Sequence, residues 1–116
     1  MNVRKFFRSF RYAMEGILTA FKEQNFKFHL MSAIIVISTG LLTGLTAVEW
    51  CIILLVIFLV VGAELINTAI ERVVDLASPE IHPIAKQAKD VAAGAVLVFA
   101  LASVIIGLLI FLPKWL

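Results

Sequence analysis

The chain has 116 residues, of which 62% are hydrophobic and 16% charged, and a formal net charge of +2. A soluble unit of this size has too high a surface-to-volume ratio to hide that much apolar surface, which excludes a water-soluble globular domain. The apolar residues are also blocked: no Lys, Arg, Asp or Glu lies between Phe28 and Val48 or between Val91 and Pro113. A third run, Trp50 to Ile70, is interrupted only by Glu64 and Asn67. Each run can cross a hydrocarbon core of roughly 30 Å, for which about 20 helical residues suffice. The expectation is one all-α integral membrane unit over residues 1–116, with three transmembrane helices and an N-terminal amphipathic surface helix.

In chain order, residues 4–22 read as the amphipathic helix. Phe6, Phe10, Met14, Ile17 and Phe21 recur at spacings of three and four, while Arg8, Arg11, Glu15 and Lys22 take the other face. A basic helix with an aromatic stripe suits the plane of the membrane interface, either as an anchor alone or as the roof of a site there. No short apolar core with a small-residue cleavage site follows this basic segment, so no cleavable signal peptide is expected. The first span covers about 26–45. A short connector, Gly44 to Trp50, leads to the second span, about 48–74, which exceeds what a bilayer needs and therefore projects its last turns. Cys51 is the only cysteine, which excludes an intramolecular disulfide, and it is expected to pack as a small hydrophobe. Pro79 and Pro83 break the helix in the loop from Leu76 to Asp90. The third span is about 90–112, closed by Pro113, Lys114 and Trp115.

Nine basic residues flank one side of the spans: Arg4, Lys5, Arg8, Arg11, Lys22, Lys27, Arg72, Lys86 and Lys89. Lys114 alone lies on the other. The positive-inside rule therefore assigns the N-terminus and the second loop to the cytoplasm, in a multi-pass protein of the plasma membrane.

The chemistry is concentrated in the second span. Glu64, Asn67, Glu71 and Asp75 follow one another at i, i+3, i+7 and i+11, which places them within about 80° of one another on a helix. An ionisable group within a span costs several kcal/mol if it meets lipid, so Glu64 is a functional candidate by default. A structural ion or hydrogen-bond pair between helices is the competing reading, against which no basic residue is expected within the spans to pair with Glu64. Taken singly, Glu71 and Asp75 also read as solvated helix-end carboxylates. Glu23, where the surface helix meets the first span, can join the span-two carboxylates around a divalent cation. Few hard oxygen ligands suit Mg²⁺ shared with phosphate oxygens, and Lys89 can then act as a point charge on phosphate. Glu64 lies about 10 Å along the helix from Glu71 and is placed as a general base. This layout suits transfer of a phosphoryl group from a nucleotide to a membrane alcohol. No GxxxxGK[ST] or GxGxxG motif is present, which excludes the P-loop and protein-kinase solutions. His82 reads either as a nucleotide contact or as a plain loop residue, and His29 as an interfacial hydrogen-bonder. No nucleic-acid partner is expected.

The strings AELINTAIERVVDL and HPIAKQAKDVAAGAV closely resemble the prokaryotic diacylglycerol kinase family, in particular its undecaprenol kinase branch, and the resemblance extends over almost the whole chain. It implies a homotrimeric helical bundle with composite sites at subunit boundaries and Mg-ATP as phosphoryl donor. By the same resemblance Glu64 matches the catalytic base and Asn67 a neighbouring polar residue. Glu23 and Glu71 match metal-binding glutamates. Lys89 and Asp90 match a Lys-Asp pair at the nucleotide, Glu80 and His82 the loop that contacts it, and Tyr12 an ATP-contacting tyrosine. Diacylglycerol-specific members carry a second Glu shortly after the one matching Glu23, where this chain has His29. The resulting expectation is an undecaprenol kinase with a lipid alcohol substrate. Diacylglycerol kinase is the nearest alternative, and an oligomeric channel or proton relay, or a non-catalytic scaffold, are the more distant ones.

Overall fold

The computed structural model describes all 116 residues as four helices: α1 (Val3–Ala20), α2 (Gln24–Thr43), α3 (Ala47–Ala77) and α4 (Pro83–Trp115). The last three are long and apolar enough to cross a membrane. Each start has a local cause. The Asn2 carboxamide oxygen accepts from the Lys5 N–H at 3.2 Å and opens α1. Thr46 and Glu49 form a reciprocal capping box at the head of α3, each side chain accepting the other's backbone N–H. Gly44, the one residue with positive φ (79°), ends α2 and lets a three-residue connector reverse the chain.

The fourth helix differs from expectation at both ends. It begins at Pro83 rather than near Asp90, because proline at the first helical position gives up only an N–H that would be unpaired anyway. His82 adds a cap, its Nδ1 accepting the Ile84 N–H at 3.1 Å. The break is therefore confined to Ser78–His82, with Pro79 inside it. At the far end the helix runs through Pro113 to Trp115, and Leu116 N–H still reaches the Leu112 carbonyl at 2.9 Å. Only the Leu109 carbonyl loses its partner there, which the last turn of a helix tolerates.

α2 and α3 run antiparallel, with Gly40 against Trp50 at one end and Glu23 against Arg72 at the other. α3 and α4 are also antiparallel and pack along most of their length. Lys114 pairs with Glu49 at 3.0 Å, and the Trp115 indole N–H donates to the Thr43 hydroxyl at 2.9 Å. These two contacts tie the ends of all three long helices together on the side away from α1. Between α2, α3 and α4 lies an apolar cavity of about 480 Å³.

Only ten residues are buried within the single chain, so most of the apolar surface is left for lipid or for other protein. Cys51 is among the exposed positions and not packed as the sequence suggested. The residues that are buried include Ala20 and Phe26, which stack the junction of α1 and α2, with Phe21 edge-on to Phe26 at 5.2 Å. They also include Glu64, Asn67 and Thr68, a polar cluster in the least accessible part of α3.

Candidate active site

Counted from Ala47 at 1.5 Å per residue, Glu64 lies about 26 Å along α3, Glu71 about 36 Å and Asp75 about 42 Å. A hydrocarbon core of roughly 30 Å that began at Ala47 would include Glu64 and leave the other two beyond it. The stripe read from the sequence is thus spread along the helix axis.

At the deepest level, Glu64 is 3% exposed. Its carboxylate faces His29 of α2, with Nε2 at 3.7 Å from Oε2. His29 is the one basic residue within 4 Å of this acid, contrary to the expectation that no basic residue within the spans pairs with it. The pairing follows from the α2–α3 register: Phe26 is buried, and His29, Leu30 and Ala33 continue its face at helical spacing. The Thr68 hydroxyl donates to the Glu64 backbone carbonyl at 3.0 Å, which removes it as a donor to the carboxylate. Glu71 and Glu23 lie within electrostatic reach of Glu64.

One turn further along, the Asn67 amide donates to Glu71 Oε1 at 3.1 Å. The Asn67 carboxamide oxygen is buried with no donor, the one such side-chain atom in the chain. A buried acceptor left unpaired costs about 1–3 kcal/mol, so the oxygen calls for a partner from outside the chain. Glu23, half-buried at the head of α2, accepts from the Arg72 guanidinium at 3.1 Å. No three His, Cys, Asp or Glu side chains converge to chelate a metal within one chain. The available donors are all hard oxygens, which fits an ion that takes one or two carboxylates from the protein and its remaining ligands from phosphate and water.

The outermost level is a second cavity of about 370 Å³ at the α3–α4 loop, lined by Asp75, Glu80, His82, Lys89 and Asp90 among others. Lys89 Nζ donates to Asp75 Oδ1 at 2.7 Å across the two helices. The Asp75 carboxylate holds the Lys89 ammonium above its usual range. Asp90 instead takes Lys86, one turn earlier on its own helix, at 2.6 Å. Neighbours in sequence, Lys89 and Asp90 thus have different partners, although both face the cavity. Tyr12 lies apart from these groups: it is exposed on α1, with the Arg11 guanidinium 5.3 Å from its ring centroid, and lines neither cavity.

Sequence reasoning named Glu64, Asn67, Glu71, Lys89 and Asp90 without the contacts that fix them. His29 contacts Glu64, Asp75 contacts Lys89 and Lys86 contacts Asp90, while Asn67 and Glu71 hold each other. The signal for His29 was available: with a tight connector at Leu45, antiparallel pairing sets residues roughly equidistant from it side by side, and His29 and Glu64 satisfy that.

Residues 11–111 match the model of a family described as prokaryotic diacylglycerol kinase. The chain is 54% identical over 114 residues to an undecaprenol kinase of Bacillus subtilis, covering 97% of this chain and 93% of that protein. It is 46% identical over 107 residues to a diacylglycerol kinase of Synechocystis, covering 90% of this chain and 61% of that one. A diacylglycerol kinase of Helicobacter pylori is 34% identical over 96 residues, with 82% and 75% covered.

Proposed function

Because this chain belongs to the prokaryotic diacylglycerol kinase family, we propose that it is an ATP-dependent lipid kinase that converts undecaprenol to undecaprenyl phosphate. The similarity to the Bacillus subtilis undecaprenol kinase over nearly the full length of both chains supports that substrate over diacylglycerol. The observation that carries the chemistry is the spread of the stripe along the axis of α3. A buried carboxylate lies beside an apolar cavity at the inner edge of the hydrocarbon, and oxygen donors and a lysine lie above it towards water.

In this mechanism the lipid hydroxyl reaches Glu64 from the membrane and ATP enters from the aqueous side. The Glu64 carboxylate accepts the hydroxyl proton as the alcohol oxygen bonds to the γ-phosphorus. The bond from the γ-phosphorus to the β–γ bridging oxygen breaks, and ADP leaves. Glu71, Asn67 through its free oxygen and Glu23 are the residues that would hold Mg²⁺. When bound, the ion neutralises charge on the phosphate oxygens. Lys89, presented by Asp75, offers an ammonium to phosphate, while Asp90, Glu80 and His82 line the nucleotide cavity. Tyr12 reaches that nucleotide only if α1 folds over it. Positioning and electrostatics, with little covalent help from the protein, then supply most of the acceleration. The working unit is a homotrimer, in which neighbouring copies cover the apolar faces that one chain leaves open. The N-terminus and the α3–α4 loop face the cytoplasm, where ATP is found.

The test is Glu64→Gln in purified protein with labelled ATP and both lipids. Expected is loss of turnover by at least about 100-fold with helicity and oligomer size unchanged. Wild-type transfer to undecaprenol by this variant would refute the assignment of the base, and a higher kcat/KM for diacylglycerol in the wild type would refute the substrate.

A further inference from the structure

The Glu64 carboxylate is 3% exposed, and the Asn67 side chain beside it on the same helix has its amide committed to Glu71 Oε1 at 3.1 Å. A base free to rotate spends much of its time turned away from the proton it must take. With the Asn67 amide held by Glu71, the group on the facing helix placed to restrain the acid is His29, whose Nε2 is 3.7 Å from Glu64 Oε2. That separation is beyond hydrogen-bond range and within ion-pair range, and such contacts commonly tighten when substrate arrives.

The surroundings of His29 add a second, independent argument. Its ring forms part of the wall of the apolar cavity between α2, α3 and α4. The other polar side chains in that wall are already engaged by their own helices. The Ser32, Thr39 and Ser103 hydroxyls donate to the Phe28, Ile35 and Ala100 carbonyls at 2.9, 2.8 and 2.7 Å. His29 is thus the remaining uncommitted polar group on the cavity wall, and its side chain is only 15% exposed. It stands where hydrocarbon meets the acid.

From this geometry we infer that His29 is a positioning residue for Glu64, fixing the carboxylate rotamer so that one oxygen faces the lipid hydroxyl. An Nε2–H aimed at Oε2 engages that oxygen and leaves Oε1 to receive the proton. The proton stays on Glu64 after transfer, and the imidazole neither gains nor loses one. The inference rests on the proposed role of Glu64 as base and adds the group that orients it.

The test compares kcat and KM of full-length wild type, His29→Ala, His29→Gln and Glu64→Gln for undecaprenol and MgATP. His29→Ala is expected to lower kcat roughly 10- to 100-fold while KM for MgATP stays within about twofold. His29→Gln is expected to recover most of kcat, since its amide nitrogen donates from near the Nε2 position. Equal losses in the Ala and Gln variants would mean that ring packing alone matters, and would overturn the inference. Unchanged kcat in His29→Ala, or a change confined to KM, would overturn it as well. Should the Ala variant fail to assemble, His29→Asn replaces it, because its amide is too short to reach Glu64; equal kcat for Asn and Gln then counts against the role. With Glu64→Gln inactive, any of these outcomes removes only the role of His29. An active Glu64→Gln removes the base and the inference with it.

Discussion

Replacing Gly40 with alanine tests the packing of α2 against α3, far from the chemistry. Gly40 is buried, and a Cβ built there meets Trp50 Cη2 at 2.8 Å, Leu45 Cδ1 at 3.0 Å and Trp50 Cζ2 at 3.2 Å. The first of these is closer than real Cβ atoms approach, so the indole or the helix must move. Overpacking of this kind costs about 1–3 kcal/mol. Alanine returns up to about 1 kcal/mol of helix propensity. The net expectation is a loss of up to about 2 kcal/mol, read as a shift in the SDS-driven unfolding of micellar protein followed by far-UV circular dichroism. The two closest indole atoms belong to the benzo ring, which phenylalanine does not reproduce. In a Trp50→Phe background, therefore, Gly40→Ala should be close to neutral, with the flexible Leu45 methyl giving way. The same cost in both backgrounds would show that the clash is not its source. Catalysis should survive, because Gly40 lies about 16 Å along α2 from His29.

The other outcomes concern the outer levels of the site. Lys89 is raised by its hydrogen bond to Asp75, so its contribution to stability is fully present below the ordinary lysine value of 10.5. It is lost as pH rises through the raised value. The melting temperature of wild type should therefore exceed that of Asp75→Asn at neutral and mildly alkaline pH, with the gap closing above that range; a gap that persists at the alkaline end contradicts the pairing. Chelating divalent cations with EDTA should stop lipid phosphorylation, and excess Mg²⁺ should restore it where Ca²⁺ restores little. Unimpaired turnover in EDTA would remove Glu23, Asn67 and Glu71 from a metal-holding role.

Much of this architecture is visible in the residues. The three uncharged or nearly uncharged runs specify the spans because a bilayer tolerates no other reading of them. The stripe from Glu64 to Asp75 is visible because 3.6-residue periodicity puts its members on one face. By residue type alone Pro83 reads as a breaker, yet at the first helical position it starts α4. The partners of the stripe were harder to see. His29 to Glu64, Arg72 to Glu23 and Lys89 to Asp75 each join two helices, and their pairing depends on register and tilt that no single helix encodes. The orphaned Asn67 oxygen was also hidden, because it emerges only once the amide nitrogen is committed to Glu71.

The length of α3 makes the protein sensitive to the thickness of the membrane around it. At 31 residues the helix spans about 46 Å, well beyond a hydrocarbon layer of roughly 30 Å, and Glu64 lies about 26 Å from its Ala47 end. The Glu49–Lys114 pair ties α3 to α4 at the Ala47 end, so the two helices shift or tilt in a bilayer as one body. Tilting the bundle compensates only in thinner membranes, where the helix is already too long. A long helix in a thin membrane therefore tilts, and the depth of Glu64 follows from that tilt.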